Sequence, residues 1–213
     1  TPLACRVMRV LQSLRFFGRT GVLAWLLMAL AAIPPAFAQE NYETKAAQAI
    51  LIDARTGRVM FEKDADTPVP PASMSKLMTM TMVFEALKAG KLTLDQTFKV
   101  SEDAWRRGGA VSGGSTMYAE VNSTVALDDL IKGSIVQSAN DACIVIAENM
   151  AGSESAFAQR MTERAHELGA KNATFRNATG LPDPEHRMSV RDLSVIARHI
   201  INDFPEYYKY YSI

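Results

Sequence analysis

The chain places one predicted β-hairpin ahead of a series of helices, and this order limits what it can fold into. Two β-rich runs, 49–53 and 58–62, flank a turn that contains Gly57, which is typical of a hairpin. A hairpin alone is marginally stable, so it needs further strands or helices packed against it. The later segments are mainly helical, and we therefore expect an α+β fold in which a mixed sheet is flanked by helices.

Glycine and capping residues set the predicted ends of the helices. The first helix is predicted from about Ser73 to Ala89 and ends at Gly90. Ser189, with Asp192 three residues later, indicates a capping box at the start of the last long helix. Five more elements are predicted: helices over 126–137, 142–152 and 154–170, a short strand over 96–100, and a strand entered from the aromatic segment 207–213.

The first 38 residues have the composition of a cleavable export signal. Arg19 is the last of their four arginines, and the uncharged run of 13 residues at 21–33 is short for a membrane anchor. Ala36-Phe37-Ala38 is a small-x-small cleavage site, so we expect the mature protein to begin at Gln39. The predicted organisation is a signal peptide at 1–38 and one domain at 39–213, located in the periplasm.

Composition excludes several classes of function. The residues after the signal carry 19 basic and 23 acidic side chains, and a net charge of −4 argues against a nucleic-acid partner. No two histidines have metal-ligand spacing, so no metal site is predicted.

Cys143 stands in an apolar run and is predicted to be buried and structural. Met74, Met78 and Met82 recur at helical spacing and are predicted to pack in the core.

Ser73 and Lys76 stand at the start of the first predicted helix. Residues three apart share a helix face, so the two side chains can touch. A serine hydroxyl becomes a nucleophile when a base removes its proton, and a lysine can act as that base when burial lowers its pKa. Free N–H groups at the helix start would stabilise an oxyanion. The alternative, an ordinary N-cap serine and a solvated lysine, is not excluded by this short motif alone.

A second polar pair, Ser138 and Asn140, lies between two predicted helices, and Ser138 follows Lys76 by 62 residues. A polar break of this kind can expose both side chains to a cleft. The hydroxyl could relay a proton from the lysine to a leaving nitrogen, and the amide could hold a peptide group of a substrate. Taken alone, the pair is better explained as a helix cap. Ser-x-x-Lys followed by Ser-x-Asn is more specific than either motif.

The chain resembles the serine D-alanyl-D-alanine carboxypeptidases, the low-molecular-mass penicillin-binding proteins of bacterial envelopes. Three segments carry the resemblance most clearly: "PPASMSKLMT", "GGSTMYAEVNSTVALDDLIKGSIVQSANDAC" and "NATFRNATGLPDPEHRMSVRDL". It extends over residues 46–213 and implies a penicillin-recognising serine transpeptidase or β-lactamase-like domain, with a mixed sheet flanked by helices and a helical subdomain.

The resemblance also implies roles for the motif residues. Ser73 corresponds to the acylated nucleophile, Lys76 to its general base, Ser138 to a proton relay and Asn140 to a substrate-orienting amide. The family removes the terminal D-alanine from peptidoglycan pentapeptide stems through an acyl-enzyme that water hydrolyses, with no metal or organic cofactor. The expected partners are therefore the stem peptide and, as covalent inhibitors, β-lactams.

One family motif is absent from this sequence. Lys-Thr-Gly, which the family carries on a core strand opposite the serine, does not occur between Asn140 and Ile213, and Thr179-Gly180 follows an alanine and is not assigned to that role. We therefore expect an incomplete domain that lacks its C-terminal strands, with little hydrolysis and poor stability if the molecule is this short. Peripheral inner-membrane association through a later C-terminal segment is left open by the resemblance.

Three other functions stay open at this point. A DD-endopeptidase or a β-lactamase would use the same fold, although no Glu-x-x-x-Asn signature follows Asn140, which argues against a class A β-lactamase. The third alternative belongs to a different class: an inactive module that binds peptidoglycan or a partner and does not turn over a substrate.

Overall fold

The predicted hairpin is present and antiparallel. The computed structural model describes residues 42–213, so the predicted signal peptide at 1–38 lies outside the described residues. Strand β1 (Ala49–Ile52) pairs with β2 (Val59–Lys63), with Leu51 opposite Phe61. Gly57 in the connecting turn has a φ of +78°, which glycine adopts without strain.

The helices account for most of the fold. The described residues form α1 (Lys76–Lys88), α2 (Glu102–Gly108), α3 (Leu127–Val136), α4 (Asn140–Ala151), α5 (Glu154–Leu168), α6 (Val190–Asp203) and α7 (Pro205–Tyr208). Helices α1 and α3 to α6 match the predicted ones, and Gly152 and Gly169 end α4 and α5 with φ of +81° and +101°. The predicted capping box is confirmed, because Ser189 and Asp192 exchange both of its hydrogen bonds.

The described strands form two separate pairs. Strand β3 (Thr97–Lys99), predicted from the sequence, pairs antiparallel with β4 (Thr124–Ala126). Within residues 42–213, no strand joins the hairpin into a larger sheet. Instead, β1 contacts α6, and the apolar side chains of Leu51, Val59 and Met60 are 38–40% exposed.

The core is centred on α4. Its six residues from Ala142 to Ala147 are fully buried, and the helix packs against α2, α3 and α5. Cys143 is one of the six, so the prediction of a buried structural cysteine is confirmed. Residues 44–213 form one compact unit. Of the helices in residues 42–213, none has the combined length and apolar character that crossing a bilayer requires.

The aromatic segment at 207–213 is itself helical, and the strand that it was predicted to lead into stays a prediction. It forms the end of α7 and a 3₁₀ turn, Lys209–Ser212. Pro205 occupies the first turn of α7, a position that proline favours. The ring of Tyr207 stacks on Phe84 at 5.2 Å, and the Tyr210 hydroxyl donates to Asp128. These tertiary contacts favour a helical path over an extended one.

Candidate active site

Ser73 lies in a 3₁₀ turn ahead of α1, whereas the sequence predicted one continuous helix. The turn covers Ala72–Ser75, and Lys76 is the first residue of α1. Ala72 has a φ of +49°, a left-handed conformation that is strained for a residue with a side chain. The turn therefore holds Ser73, which is exposed, on a strained stretch of backbone.

The strained turn rests against a second loop at Gly180. This glycine has a φ of +83°, and a Cβ atom there would lie 1.9 Å from the carbonyl oxygen of Ala72 and 2.6 Å from Oγ of Ser75. Contacts this short exclude any side chain, so the position requires glycine. The loop that contains Gly180 and the turn that contains Ser73 are thus in direct backbone contact.

The terminal nitrogen of Lys76 contacts three oxygen atoms. Its Nζ lies 3.1 Å from Oγ of Ser73, 3.0 Å from Oδ1 of Asn140 and 2.7 Å from the carbonyl oxygen of Thr179. The side chain of Lys76 is only 5% exposed. The contact that the three-residue spacing of Ser73 and Lys76 predicted is therefore present, and all three oxygens are uncharged.

Burial lowers the pKa of Lys76 below its ordinary value of 10.5, because the cation loses hydration and its hydrogen-bond partners supply no negative charge. The nearby thiol of Cys143 acts in the opposite direction as a smaller effect. Met78 and Met80 are fully buried near the start of α1 and add apolar surface to the same part of the core. Met74 is 55% exposed, so its predicted core position is wrong, because it lies in the 3₁₀ turn outside the periodicity of α1.

Asn140 contacts Lys76, whereas Ser138 shares a pocket with Ser73 and Lys76. Asn140 is the first residue of α4, is 7% exposed, and contacts Lys76 directly while its own N–H donates to the carbonyl of Ser115. Ser138 is half-buried in the turn between α3 and α4, with a φ of +53°. Within the described part of the chain it makes no hydrogen bond to Ser73 or Lys76, although it faces the same pocket.

A pocket of about 290 Å³ lies beside the serine and the lysine. Its polar lining residues are Ser73, Lys76, Ser134, Ser138 and Tyr211, and its apolar wall includes Met80 and Ile135. An exposed hydroxyl beside a buried amine, at the edge of an apolar pocket, is the arrangement that activation of a nucleophile requires.

Sequence reasoning missed the contribution of residues 177–180. The "NATG" segment was noted only for its Thr-Gly pair, which was assigned no role, yet Thr179 supplies the shortest contact to Lys76. Because a backbone carbonyl makes that contact, residue type carries no direct signal for it. The glycine at 180 was the available clue, since a glycine in a polar loop often marks close backbone approach.

Comparison with known proteins places this arrangement in a family context. The family model of D-alanyl-D-alanine carboxypeptidase, peptidase S11, matches residues 35–213. The D-alanyl-D-alanine carboxypeptidase DacC of Escherichia coli is 40% identical over 180 residues, which cover 82% of this chain and 45% of that protein. A D-alanyl-D-alanine endopeptidase of Pseudomonas aeruginosa is 32% identical over 141 residues, covering 65% of this chain and 42% of that protein.

Solved structures agree with the sequence matches. The D-alanyl-D-alanine carboxypeptidase DacD of Francisella tularensis aligns with a TM-score of 0.78 at 37% identity, covering 86% of this chain and 43% of that one. Penicillin-binding protein D2 of Listeria monocytogenes, in its ampicillin-bound form, aligns with a TM-score of 0.66 at 27% identity, covering 78% and 65%. The chain thus has the penicillin-binding protein fold, and it spans less than half the length of the E. coli and F. tularensis carboxypeptidases.

Proposed function

The chain belongs to the D-alanyl-D-alanine carboxypeptidase family, and from that premise we propose that the whole protein is a serine D-alanyl-D-alanine carboxypeptidase with Ser73 as its nucleophile. Its substrate is the pentapeptide stem of peptidoglycan, from which it removes the terminal D-alanine. The observation that carries the proposal is the set of contacts around Nζ of Lys76, 3.1 Å from Oγ of Ser73.

The number of N–H groups and lone pairs on a neutral lysine amine supports Lys76 as the base. A neutral amine has two N–H groups and one lone pair, whereas carbonyl oxygens only accept. Asn140 Oδ1 and the Thr179 carbonyl therefore take both N–H groups, and the lone pair is left for the hydroxyl proton of Ser73. The lowered pKa of Lys76 favours this neutral form.

The reaction then proceeds in two stages. Oγ of Ser73 bonds to the carbonyl carbon of the penultimate D-alanine as its proton passes to Lys76, and N–H groups of the first turn stabilise the oxyanion. The peptide C–N bond breaks, and the Ser138 hydroxyl relays the proton from Lys76 to the departing amine. Water then hydrolyses the ester, with Lys76 as base, and restores Ser73. The side-chain amide of Asn140 orients the peptide.

Export and inhibition complete the proposal. Cleavage after Ala38 would release the mature protein into the periplasm, where the stem peptide is found, and the arginine-rich, apolar sequence of residues 1–38 supports this. β-Lactams would acylate Ser73 and remain bound, which the ampicillin-bound Listeria relative supports.

Covalent labelling with a fluorescent penicillin tests the nucleophile. The whole protein should be labelled, Ser73→Ala should not, and Ser75→Ala should be labelled normally. Ser75 is a matched control because its Oγ is buried in the same turn without a hydrogen-bond partner among the described residues. Labelling of Ser73→Ala, or no labelling of the folded unmodified protein, would refute the proposal, and the second result would favour an inactive binding module.

The P. aeruginosa relative favours one alternative, a DD-endopeptidase that cleaves cross-links. Mass analysis of a pentapeptide stem and of a cross-linked dimer separates the two activities. Loss of one alanine from the stem supports the carboxypeptidase, and cleavage of the dimer with an intact stem supports the endopeptidase.

A further inference from the structure

The loop at residues 177–180 has a highly ordered hydrogen-bond pattern, and Asn177 is at its centre. Oδ1 of Asn177 accepts from the N–H of Thr179 at 3.2 Å, from the hydroxyl of Thr179 at 3.0 Å and from the N–H of Gly180 at 2.7 Å. Its Nδ2 donates to the carbonyl of Leu181 at 3.0 Å. At 7% exposure, this one side chain binds the N–H of the peptide group that contains the Thr179 carbonyl and the N–H of the preceding peptide group.

We propose that Asn177 is a positioning residue for Lys76: it holds the Thr179 carbonyl at the lysine amine and so directs the amine lone pair at Ser73. The inference rests on the proposed acylation of Ser73. Asn177 itself touches neither Ser73 nor Lys76 in the described structure and acts through the backbone of Thr179.

The neighbouring residue, Ala178, is held by different groups. Its N–H donates to Oε1 of Glu154 at 2.9 Å, and its carbonyl accepts from the hydroxyl of Thr79 at 2.7 Å. Glu154 in turn pairs with Arg107 at 2.6 Å. Thr79 lies three residues after Lys76 on α1, so the loop and the lysine share one rigid support. These contacts fix where the loop sits, and Asn177 fixes the direction of the Thr179 carbonyl.

If the Thr179 carbonyl no longer points at Lys76, acylation of Ser73 should become slower. With the carbonyl turned away, one N–H of Lys76 has no acceptor, and the amine can rotate its lone pair away from Ser73. Small misplacements of a catalytic group slow a reaction by one or two orders of magnitude. Binding of the inhibitor, which does not depend on the lone pair, should change much less.

Asn177→Leu removes the acceptor and keeps the number and branching of the side-chain heavy atoms, and Asn172→Leu is the matched control at an exposed asparagine five residues earlier. Stopped-flow acylation by a penicillin should show a limiting rate about tenfold or more below that of the unmodified protein in Asn177→Leu. Its pre-covalent dissociation constant should stay within about twofold, as should both parameters in Asn172→Leu. A folded Asn177→Leu protein that acylates at the normal rate would overturn the inference.

Asn177→Asp retains an oxygen acceptor for the three donors. It therefore tests the positioning role of Asn177 if the leucine variant does not fold. Its added negative charge should raise the pKa of Lys76, so the acidic limb of the acylation rate should move to higher pH while the plateau stays within about threefold of normal. A collapsed plateau or an unmoved limb would contradict the inference.

A structure of the variants needs no turnover and separates the two claims. In Asn177→Leu, the distance from Lys76 Nζ to the Thr179 oxygen should exceed hydrogen-bond length, and in Asn177→Asp it should stay near 2.7 Å. An unmoved carbonyl in the leucine variant overturns the positioning role, whatever the activity. An unmodified protein that is never acylated, alongside a displaced carbonyl in the variant, overturns the proposed function but leaves the positional role of Asn177 standing.

Discussion

The amine of Lys76 is buried, and among the described residues no carboxylate is its hydrogen-bond partner. A buried lysine paired with Asp or Glu keeps its proton, because the opposite charge compensates for lost hydration. Here the amine meets a serine hydroxyl, an amide oxygen and a backbone carbonyl. These groups order the amine without supplying negative charge, so burial prevails and the pKa falls.

Acylation of Ser73 should therefore rise with pH and reach half its maximum below 10.5, the ordinary pKa of a lysine. Lys76→Arg should lose acylation by about a hundredfold or more at every pH, since a guanidinium does not deprotonate in proteins. The measurement is the second-order rate of penicillin acylation from about pH 5 to 10, with Ser75→Ala as control. A flat profile, or substantial acylation by Lys76→Arg, would contradict the role of Lys76 as base.

The same shift has a consequence for stability. Between the lowered pKa of Lys76 in the folded protein and its ordinary value when unfolded, the unfolded state binds more protons. The contribution of Lys76 to the free energy of unfolding therefore rises with pH across that window. At pH values below the pKa of Lys76 in the folded protein, the buried amine is protonated and its destabilising effect is fully present. This loss of stability accompanies the burial that makes Lys76 a base for Ser73.

The sequence could predict the contact between Ser73 and Lys76, because three-residue spacing alone brings the side chains together. It could not predict the Thr179 carbonyl, since a backbone group leaves no mark on residue type. The left-handed conformation of Ala72 could not be predicted either, because alanine does not favour it. The glycine at position 180, which packs against the Ala72 carbonyl, is the sequence feature connected with it.

Among the helices within residues 42–213, α6 has the most complete N-terminal cap. Ser189 is fully buried, its Oγ accepts from the N–H of Asp192, and Oδ2 of Asp192 accepts from the backbone and hydroxyl of Ser189. Oδ1 of the same aspartate accepts from the N–H of Asn172, which precedes the loop at 177–180. The cap thus ties the start of α6 to the segment that leads to the active site.

Ser189→Ala should lower the free energy of unfolding by about 2 kcal/mol, because it removes a cap and leaves buried donors and acceptors unpaired. Ser153→Ala is the matched comparison: Ser153 caps α5 through the N–H of Ala156, is exposed, and has no reciprocal partner, so about 1 kcal/mol is expected. Urea denaturation followed by circular dichroism measures both. Equal losses in the two variants would show that burial and the reciprocal bond at Ser189 add nothing.

The ends of the long helices were predictable because glycine and serine act locally. Helix α2 was missed, although Ser101 caps it and Glu102 and Asp103 occupy its first turn, because its seven residues are too short for a clear apolar period. The aromatic segment after Pro205 was predicted only to lead into a strand, and no conformation was predicted for the segment itself. Contacts with Phe84 and Asp128, far away in sequence, favour its helical path.

The compact unit of residues 44–213 is organised around α4, which connects the core to the site. Asn140 begins the helix and contacts Lys76, and the next residues pass through the centre of the core. The family resemblance predicted this class of fold, but composition could not: alternating helical and β patterns fit several α+β folds equally well. The packing of the partly exposed hairpin could not be predicted from its sequence either, because tertiary packing, and not the strand itself, decides which elements a strand contacts.

Cys143 offers a reporter for the cooperativity of this core. It is fully buried on α4, and burial raises the pKa of its thiol to about 11. Only a thiolate reacts with a disulfide reagent, so at pH 8 the native protein should resist labelling on two counts: the thiol is inaccessible, and about one in a thousand is ionised. Reaction should then require global unfolding, which exposes the thiol and returns its pKa to the ordinary range.

With every other cysteine of the protein replaced by serine, labelling of Cys143 should be slow in buffer and should accelerate with urea in parallel with the loss of helical circular dichroism. A cysteine placed at exposed Asn172, in a Cys143→Ser background, should react at the rate of a free thiol throughout. Prompt labelling of Cys143 without urea would mean that α4 opens locally. Since Asn140 holds Lys76 from the first turn of that helix, such opening would also release the lysine, and acylation of Ser73 would have to compete with it.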